Sequence, residues 1–312
     1  MSTPVESRHA EPFTHPALFY RDISEYLAGT VPFIRFGLAA GEPVAVAVPE
    51  PNLALLRAEL GADAARVQLL DMRTAGRNPG RIIPGVLRAF ADTHTGRRVR
   101  IIGEPIWPDR RYHEYPACAQ HEALINLAFT GRDVTILCPY DTQNLPSAVL
   151  ADAEATHPLL IDNAGRRTSA AYDPDAIIAS YNQPLPEPAN AAELTVDATN
   201  LSQALTFART HARQAGLTDG KTADLEVVIT ELVTNSIDHG GGFGRLRIWT
   251  DDGNLVCQVD DHGTLTDPLA GRHPIAPGQR PNRGLLLVNH ISDLVRLYAG
   301  AAGTATRGHF QL

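Results

Sequence analysis

A carboxylate and a carboxamide stand four residues apart near the end of a predicted helix, in the segment ELVTNSIDHGGG at residues 231–242. This spacing places the side chains of Glu231 and Asn235 on one helix face, one turn apart. A carboxylate can accept a proton, and a carboxamide oxygen can bind a metal ion, so the pair suggests a nucleotide site. Polar pairs are also ordinary on surface helices, and the interpretation therefore depends on what the rest of the C-terminal third supplies.

The helix that must position this pair is predicted over residues 221–239. Thr222 is its expected N-cap. Three glycines from Gly240 onwards end it, because glycine adopts the left-handed cap conformation without steric cost. A core-facing stripe has helical spacing and consists of Leu225, Val228, Ile229, Leu232 and Ser236.

A predicted hairpin follows, with strands at 244–250 and 254–260 and Asp252-Gly253 as its turn. Its second strand runs into Asp261-His262-Gly263. An aspartate at a strand end can accept a hydrogen bond from an adenine amino group, and the glycine allows the backbone to pass close to the base. Asp-x-Gly is also common in ordinary turns.

A second pair of signals could serve the phosphates. After a segment rich in Pro, Gly and Arg, Gly284 stands where a loop becomes a helix, and the free N–H groups of a helix N-terminus favour phosphate. Arg283 is placed to reach a terminal phosphate. Gly303-Thr304 then precedes a last strand. Singly, each of these parts is also typical of a capped helix or a turn.

Taken in order, the four motifs resemble the GHKL superfamily of histidine kinase-like ATPases. The segments ELVTNSIDHG at 231–240 and NRGLLLVNHISDLV at 282–295 are most similar to the corresponding segments of the anti-sigma factor serine kinases of bacteria. The resemblance covers residues 191–312 and implies a C-terminal GHKL (Bergerat) α/β sandwich that binds ATP and Mg²⁺.

The resemblance also implies a role for each matched residue. Asn235 would coordinate Mg²⁺, and Glu231 would be the catalytic base that activates a serine hydroxyl on a partner protein. The remaining ATP-binding residues would be Asp261 and Gly263 at the adenine, Thr304 beside them, and Arg283, Gly284 and Leu285 in the lid over the phosphates. Leu265 and Asn282 depart from the family, which often has glycine at both positions.

The N-terminal part alternates apolar runs with helical patterns, which indicates a doubly wound parallel sheet. Strands are predicted at 44–48, 67–70, 99–102 and 134–138, and helices at 16–27, 32–40, 53–60, 82–93, 120–129 and 147–157. Gly29-Thr30 is the expected break between the first two helices. Polar residues stand at the strand ends, namely Asp71, Glu104 and Asp141. Ligands bind near such carboxyl ends in open α/β sheets, but the preferred interpretation is that these residues cap the segments that follow.

Residues 10–160 resemble the MEDS sensory domain of bacterial regulators, on segments such as HPALFYRDISEYLAG, RVRIIGEPIWP and CPYDTQNLPSAVLADAEATHP. That resemblance implies a RecA-like fold lacking a P-loop and a sensor or docking role. No G-x-x-x-x-G-K-[ST] sequence occurs. The predicted α/β organisation is a MEDS-like domain at 1–165, a linker at 166–190 and a histidine kinase-like ATPase domain at 191–312.

The amino-acid composition argues against several further classes of function. The formal net charge of −8 leaves no overall positive charge to attract nucleic acid, so direct DNA binding is not expected. The three cysteines are widely spaced, form no metal-binding pattern and fit a reducing cytosol. Without a signal segment or a long apolar span, a cytoplasmic protein that does not enter the membrane is expected.

The preferred interpretation is a bacterial anti-sigma factor regulatory protein. It binds Mg-ATP, sequesters a sigma factor and phosphorylates Ser or Thr of an anti-anti-sigma factor of the STAS type, so that partners are switched. One alternative is a non-catalytic sensor and interaction module with a degenerate ATP site. Another is a sensor histidine kinase, which is disfavoured because no helical pair with a phosphoacceptor His precedes residue 191. Homodimer formation stays open.

Overall fold

The computed structural model describes residues 12–274 and 283–312, which form two separate β-sheets, each with its own helices. The first sheet has eight strands in the order β4-β3-β5-β6-β2-β7-β8, with β1 beside β6. All described neighbours run parallel except β7 and β8, which form an antiparallel edge. Its strands are β1 Phe13–Thr14, β2 Pro16–Tyr20, β3 Val44–Val48, β4 Gln68–Asp71, β5 Val99–Gly103, β6 Val134–Asp141, β7 Leu159–Asp162 and β8 Gly165–Thr168.

Both faces of this sheet are covered, as the apolar strand sequences predict. In β3, Ala45 and Ala47 belong to one hydrophobic cluster, whereas Val44, Val46 and Val48 belong to another on the opposite face. The covering helices are α1 Ile23–Ala39, α2 Glu50–Leu60, α3 Met72–Ala75, α4 Ala89–Asp92, α5 Tyr115–Ala128, α6 Ser147–Thr156 and α7 Pro174–Tyr181. A π-helical stretch, Ile83–Arg88, leads into α4.

The start of the chain differs from the prediction. Residues 16–20 form a strand and not the first part of a helix, and α1 continues through the expected break at Gly29-Thr30. A Cβ at Gly29 would lie 2.5 Å from the side chain of Leu18. Gly29 therefore allows α1 to pack closely on β2, and it does not end a helix.

The second sheet is antiparallel throughout, in the order β12-β13-β11-β10-β9. Helices α8, α9 and α10 share one apolar core with it, which gives the predicted α/β sandwich. The predicted hairpin is confirmed as β10–β11, with Asp252 and Gly253 at φ values of 42° and 70°. The elements are β9 Ala192–Asp197, α8 Leu201–Ala215, α9 Asp219–His239, β10 Phe243–Asp251, β11 Asn254–Asp261, α10 Arg283–Ile291, β12 Leu294–Gly300 and β13 Gly303–Gln311.

A turn of the first domain docks on the second. The side chain of Asn78 is fully buried, and its amide donates to the backbone carbonyl of Asn289 at the end of α10 (2.8 Å). Its carbonyl oxygen accepts from the backbone N–H groups of Gly80 (3.0 Å) and Val295 (3.4 Å). Arg77 forms an ion pair with Asp293 beside it. This turn therefore connects the two domains at the end of α10.

Candidate functional site

A cavity of about 870 Å³ lies between the end of α9, the loop after β11, the start of α10 and strand β13. Six of the eight predicted site residues line it, namely Asn235, Asp261, Gly263, Gly284, Leu285 and Thr304. They come from four separate segments of the chain. The fold therefore brings the motifs together around one space.

Asp261 is the best-defined polar group of the cavity. Its Oδ1 accepts hydrogen bonds from the hydroxyl of Thr304 (2.7 Å) and from the backbone N–H of Gly263 (2.9 Å). Its Oδ2 accepts from the hydroxyl of Ser236, 2.7 Å away. An ionised carboxylate has about four acceptor positions, so these three donors fix its orientation and leave one position on Oδ2 for a ligand.

Glycines permit the approach of three segments to Asp261. A Cβ at Gly240 would lie 2.6 Å from the Cβ of Asp261, and one at Gly263 would lie 2.9 Å from the carbonyl oxygen of His239. Gly303 has a φ of 134°, and a Cβ there would overlap the carbonyl oxygen of Asp261. The end of α9, the loop after β11 and the turn before β13 can meet only because these positions lack side chains.

The Glu231 and Asn235 side chains lie against the first turn of α10. A Cβ at Gly284 would lie 2.9 Å from Oε2 of Glu231 and 3.2 Å from Nδ2 of Asn235. Glu231 is half-buried and stands at the edge of the cavity, outside its lining. The missing side chain at 284 thus brings the helix N-terminus, with its free N–H groups, next to both polar residues.

Two positions discussed above, Arg283 and Asn282, lie at the boundary of the described residues. Helix α10 begins at Arg283, but the side chain of Arg283 lies outside the described residues, as does Asn282. Leu265, which stands where the family often has glycine, lines the cavity. Its side chain therefore adds an apolar surface where a second glycine would leave the backbone exposed.

The sequence did not single out several other lining residues. Ser236 was predicted as part of the core-facing stripe and is buried, but its hydroxyl also holds Asp261. A serine within an apolar helical stripe was the one signal for this role. The apolar walls are supplied by Leu232, Val259, Leu265, Leu286 and Leu297. Apolar walls with one oriented carboxylate suit a flat heterocycle that carries an amino group.

The strand ends of the first domain divide into two kinds. Asp71 and Asp141 each accept a hydrogen bond from the backbone N–H two residues later (3.0 and 2.9 Å), as a turn or cap requires. Glu104 does not cap a segment, contrary to the prediction. It is 2% exposed, and the amide of Asn52 donates to both of its oxygens (3.0 and 2.9 Å). Burial raises the pKa of Glu104 to about 8, although the Asn52 hydrogen bonds favour the charged form.

Within the described residues, none of the helices has the length and apolar character needed to cross a lipid bilayer.

Comparisons with known proteins find one family model in each of the two parts of the chain. Residues 14–158 match the family model of MEDS, the methanogen/methylotroph DcmR sensory domain. Residues 194–308 match the family model of the histidine kinase-like ATPase domain. No curated protein matches the chain significantly.

One solved structure that matches is the crystal structure of the RsbU and RsbW domains of Rv1364c from Mycobacterium tuberculosis. It is 20% identical, with a TM-score of 0.30 over 40% of this chain. The match spans about a third, 33%, of the length of that chain.

Proposed function

Because this chain joins a MEDS domain to a histidine kinase-like ATPase domain, we propose that the second domain binds Mg-ATP and transfers a phosphoryl group to a partner protein. In this proposal the acceptor is a serine or threonine of an anti-anti-sigma factor of the STAS type. The unphosphorylated antagonist and a sigma factor compete for the chain. The protein is then a cytoplasmic anti-sigma factor regulatory protein.

The proposal of nucleotide binding is supported mainly by one observation, the convergence of the motif residues on one cavity. Asp261 is held by three donors with one acceptor position unused, beside apolar walls large enough for a purine. The first turn of α10 lies at the other end, next to Glu231 and Asn235. In this proposal the base binds beside Asp261, and the phosphates bind at the first turn of α10.

The chemistry follows from what each group can do. The carboxamide oxygen of Asn235 would hold magnesium, which when bound neutralises charge on the phosphates. Glu231, one turn earlier on α9, is placed to accept the proton of an incoming hydroxyl, since a serine hydroxyl is a poor nucleophile at neutral pH. The N–H groups at the start of α10 would bind phosphate oxygens.

The partner part of the proposal rests on the resemblance of residues 231–240 and 282–295 to anti-sigma factor serine kinases. A sensory MEDS domain in the same chain fits a regulator whose partner binding responds to a signal. The contact of Asn78 with the end of α10 gives that signal a physical route to the nucleotide domain.

A non-catalytic interaction module is the second candidate. It is favoured by Leu265, which lines the cavity where glycine is frequent in the family, and by the position of Glu231 at the cavity edge. A module of this kind would bind its partner through the same surface and transfer no phosphate.

Phosphate transfer from labelled ATP separates the two candidates. The purified full chain is incubated with Mg²⁺, γ-labelled ATP and a purified STAS-type antagonist, and acid-stable label on the antagonist is measured. We expect transfer by the wild type, and a loss of roughly 10²–10⁴-fold for Glu231→Gln, which keeps the shape but removes the base. ATP binding by Glu231→Gln should stay close to that of the wild type.

Glu226→Gln is the matched control, since it makes the same change on the same helix. Glu226 forms an ion pair with Arg209 at the surface (2.6 Å), and such pairs contribute little to stability. If the wild type binds ATP and a sigma factor but labels no antagonist, the interaction module is correct. Label that is lost in acid would instead indicate phosphohistidine.

A further inference from the structure

Four side chains converge inside the first domain, away from the nucleotide cavity. They are His15, which immediately precedes β2, Glu122 on α5, Cys138 in β6 and His157, which follows α6. All four are buried, and one ligand atom of each lies within 4.8 Å of the others. The nucleotide chemistry proposed above uses none of them.

Three of the distances between these atoms are close to the ligand-to-ligand distances of a tetrahedral metal site. His15 Nε2 lies 3.4 Å from Glu122 Oε2 and 3.4 Å from Cys138 Sγ, and His157 Nε2 lies 3.3 Å from Glu122 Oε2. Ligand atoms about 2.0–2.3 Å from a tetrahedral zinc ion are roughly 3.3–3.7 Å from one another. The remaining distances among the four atoms are no more than 4.8 Å, so the side chains at the wider spacings must move inward before all four bonds to an ion have normal length.

The outer nitrogens of both imidazoles are already held by acceptors. His157 Nδ1 lies 2.8 Å from the carbonyl oxygen of Ala153, and His15 Nδ1 lies 3.2 Å from Oδ1 of Asn126. The orientation of the Asn126 amide is fixed, because its Nδ2 donates to the carbonyl of Thr156 (2.9 Å). Nδ1 therefore carries the proton in each ring, and Nε2 presents its lone pair to the centre. Metal-binding histidines are oriented in this way by their outer partners.

With the proton on Nδ1 of both rings, the thiol of Cys138 is the one proton donor among the four described side chains at the centre of the cluster. Within the described chain, both oxygens of Glu122 and Nε2 of His157 are buried without a hydrogen-bond partner of suitable geometry. A buried carboxylate that faces lone pairs strongly destabilises the fold unless a cation or a proton donor compensates its charge. A bound cation would compensate the carboxylate charge and give Oε2 of Glu122 and Nε2 of His157 a partner.

We propose that His15, Glu122, Cys138 and His157 bind one transition-metal ion, and that this ion is zinc. One thiolate, two imidazoles and one carboxylate make a mixed set that zinc accepts in tetrahedral geometry. Four protein ligands fill that geometry and leave no position for a substrate, so the site is structural or regulatory. Binding would deprotonate Cys138 and release its proton to solvent. The ligands lie far apart in the sequence, and no spacing motif could have revealed the site.

Metal analysis of the full chain tests this directly. Protein made in medium supplemented with zinc should contain about one zinc ion per chain. Protein made with cobalt should show the intense visible absorption of tetrahedral Co²⁺ and a sulfur-to-cobalt charge-transfer band in the near ultraviolet. Cys138→Ser should lose the charge-transfer band, whereas Cys118→Ser, which changes another buried cysteine of the same domain, should keep it. Asn126→Ala should lower the metal affinity roughly 10–100-fold, measured by competition with a chromophoric chelator.

X-ray absorption by the zinc-loaded wild type needs no variant to fold. It should show one sulfur and three nitrogen or oxygen neighbours. Chains that remain metal-free in both media would overturn the proposal and indicate an imidazolium paired with Glu122. Bound metal without a sulfur neighbour would overturn it as well, since the ion would then lie elsewhere.

Discussion

Replacing Asp261 by Asn changes what this side chain offers a ligand without disturbing what holds it. Oδ1 accepts from the fixed backbone N–H of Gly263 and from Thr304, so the amide oxygen of the introduced side chain must occupy that position. The amide nitrogen then takes the place of Oδ2 and donates to the oxygen of Ser236. The Ser236 hydroxyl can donate instead to the carbonyl of Leu232, 3.1 Å away. Every buried group stays paired, and we expect the variant to fold.

This change replaces a hydrogen-bond acceptor by a donor at the end of the side chain that faces the ligand. In the wild type Oδ2 can accept from the 6-amino group of adenine, whereas in Asp261→Asn a donor meets that donor. A hydrogen bond to a charged group contributes about 1.5–3 kcal/mol, so ATP should bind roughly 10- to 150-fold more weakly. Inosine triphosphate carries an oxygen at the same ring position, and the variant should bind it better than it binds ATP.

Calorimetric titration of both nucleotides into the full chain with Mg²⁺ measures this inversion. Asp238→Asn is the control, because it removes the same charge from the exposed face of α9, outside the cavity lining. Its two affinities should match those of the wild type. If Asp261→Asn binds ATP as tightly as the wild type and still prefers it over inosine triphosphate, Asp261 does not contact the base and the assignment of the cavity is wrong.

Three further changes have defined outcomes. Asn235→Ala should abolish the dependence of ATP affinity on Mg²⁺, and calorimetry with and without the ion will show a retained dependence if another residue holds it. Asn78→Ala removes a fully buried amide with three hydrogen bonds, so the free energy of unfolding in urea should fall by about 1–3 kcal/mol; an unchanged value would mean that the turn does not dock. Glu104 binds its proton more tightly when folded, because its pKa rises from 4.5 to about 8. The stability it contributes is therefore present below pH 4.5 and is lost as the pH rises to about 8. Glu104→Gln should flatten this fall in unfolding experiments across that range, and parallel curves for the two proteins would refute it.

Much of the fold was predictable because the turn residues, the apolar runs and the order of the motifs in the sequence all indicate the same arrangement. Asp252-Gly253 predicts the two-residue turn of the β10–β11 hairpin, and both residues have the positive φ that this turn requires. The apolar run at 44–48 predicts a strand covered on both faces, and its alternate residues do pack in two clusters. The order of the motifs in the C-terminal domain predicted residues that meet around one cavity.

The rest depended on contacts that a sequence does not show. Strand β2 has only five residues, and over so short a segment the pattern of apolar residues cannot distinguish a strand from the first turn of a helix. From the sequence alone Gly29 predicts a break in the helix, because its packing against Leu18 can be seen only in the folded structure. Glu104 was expected to cap a segment, yet its partner Asn52 is 52 residues away in the chain. The group around Glu122 is likewise assembled by parallel strands whose neighbours are distant in the sequence.

Helix α10 has nine residues, and at 1.5 Å per residue it is about 13 Å long. One end lies at the cavity and the other at Asn78 of the first domain. Thermodynamic reciprocity applies to any such shared element. If undocking the Asn78 turn changes ATP affinity by some factor, then ATP must change the docking equilibrium by the same factor. Occupancy of the cavity and docking of the first domain would then shift each other's free energy by the same amount.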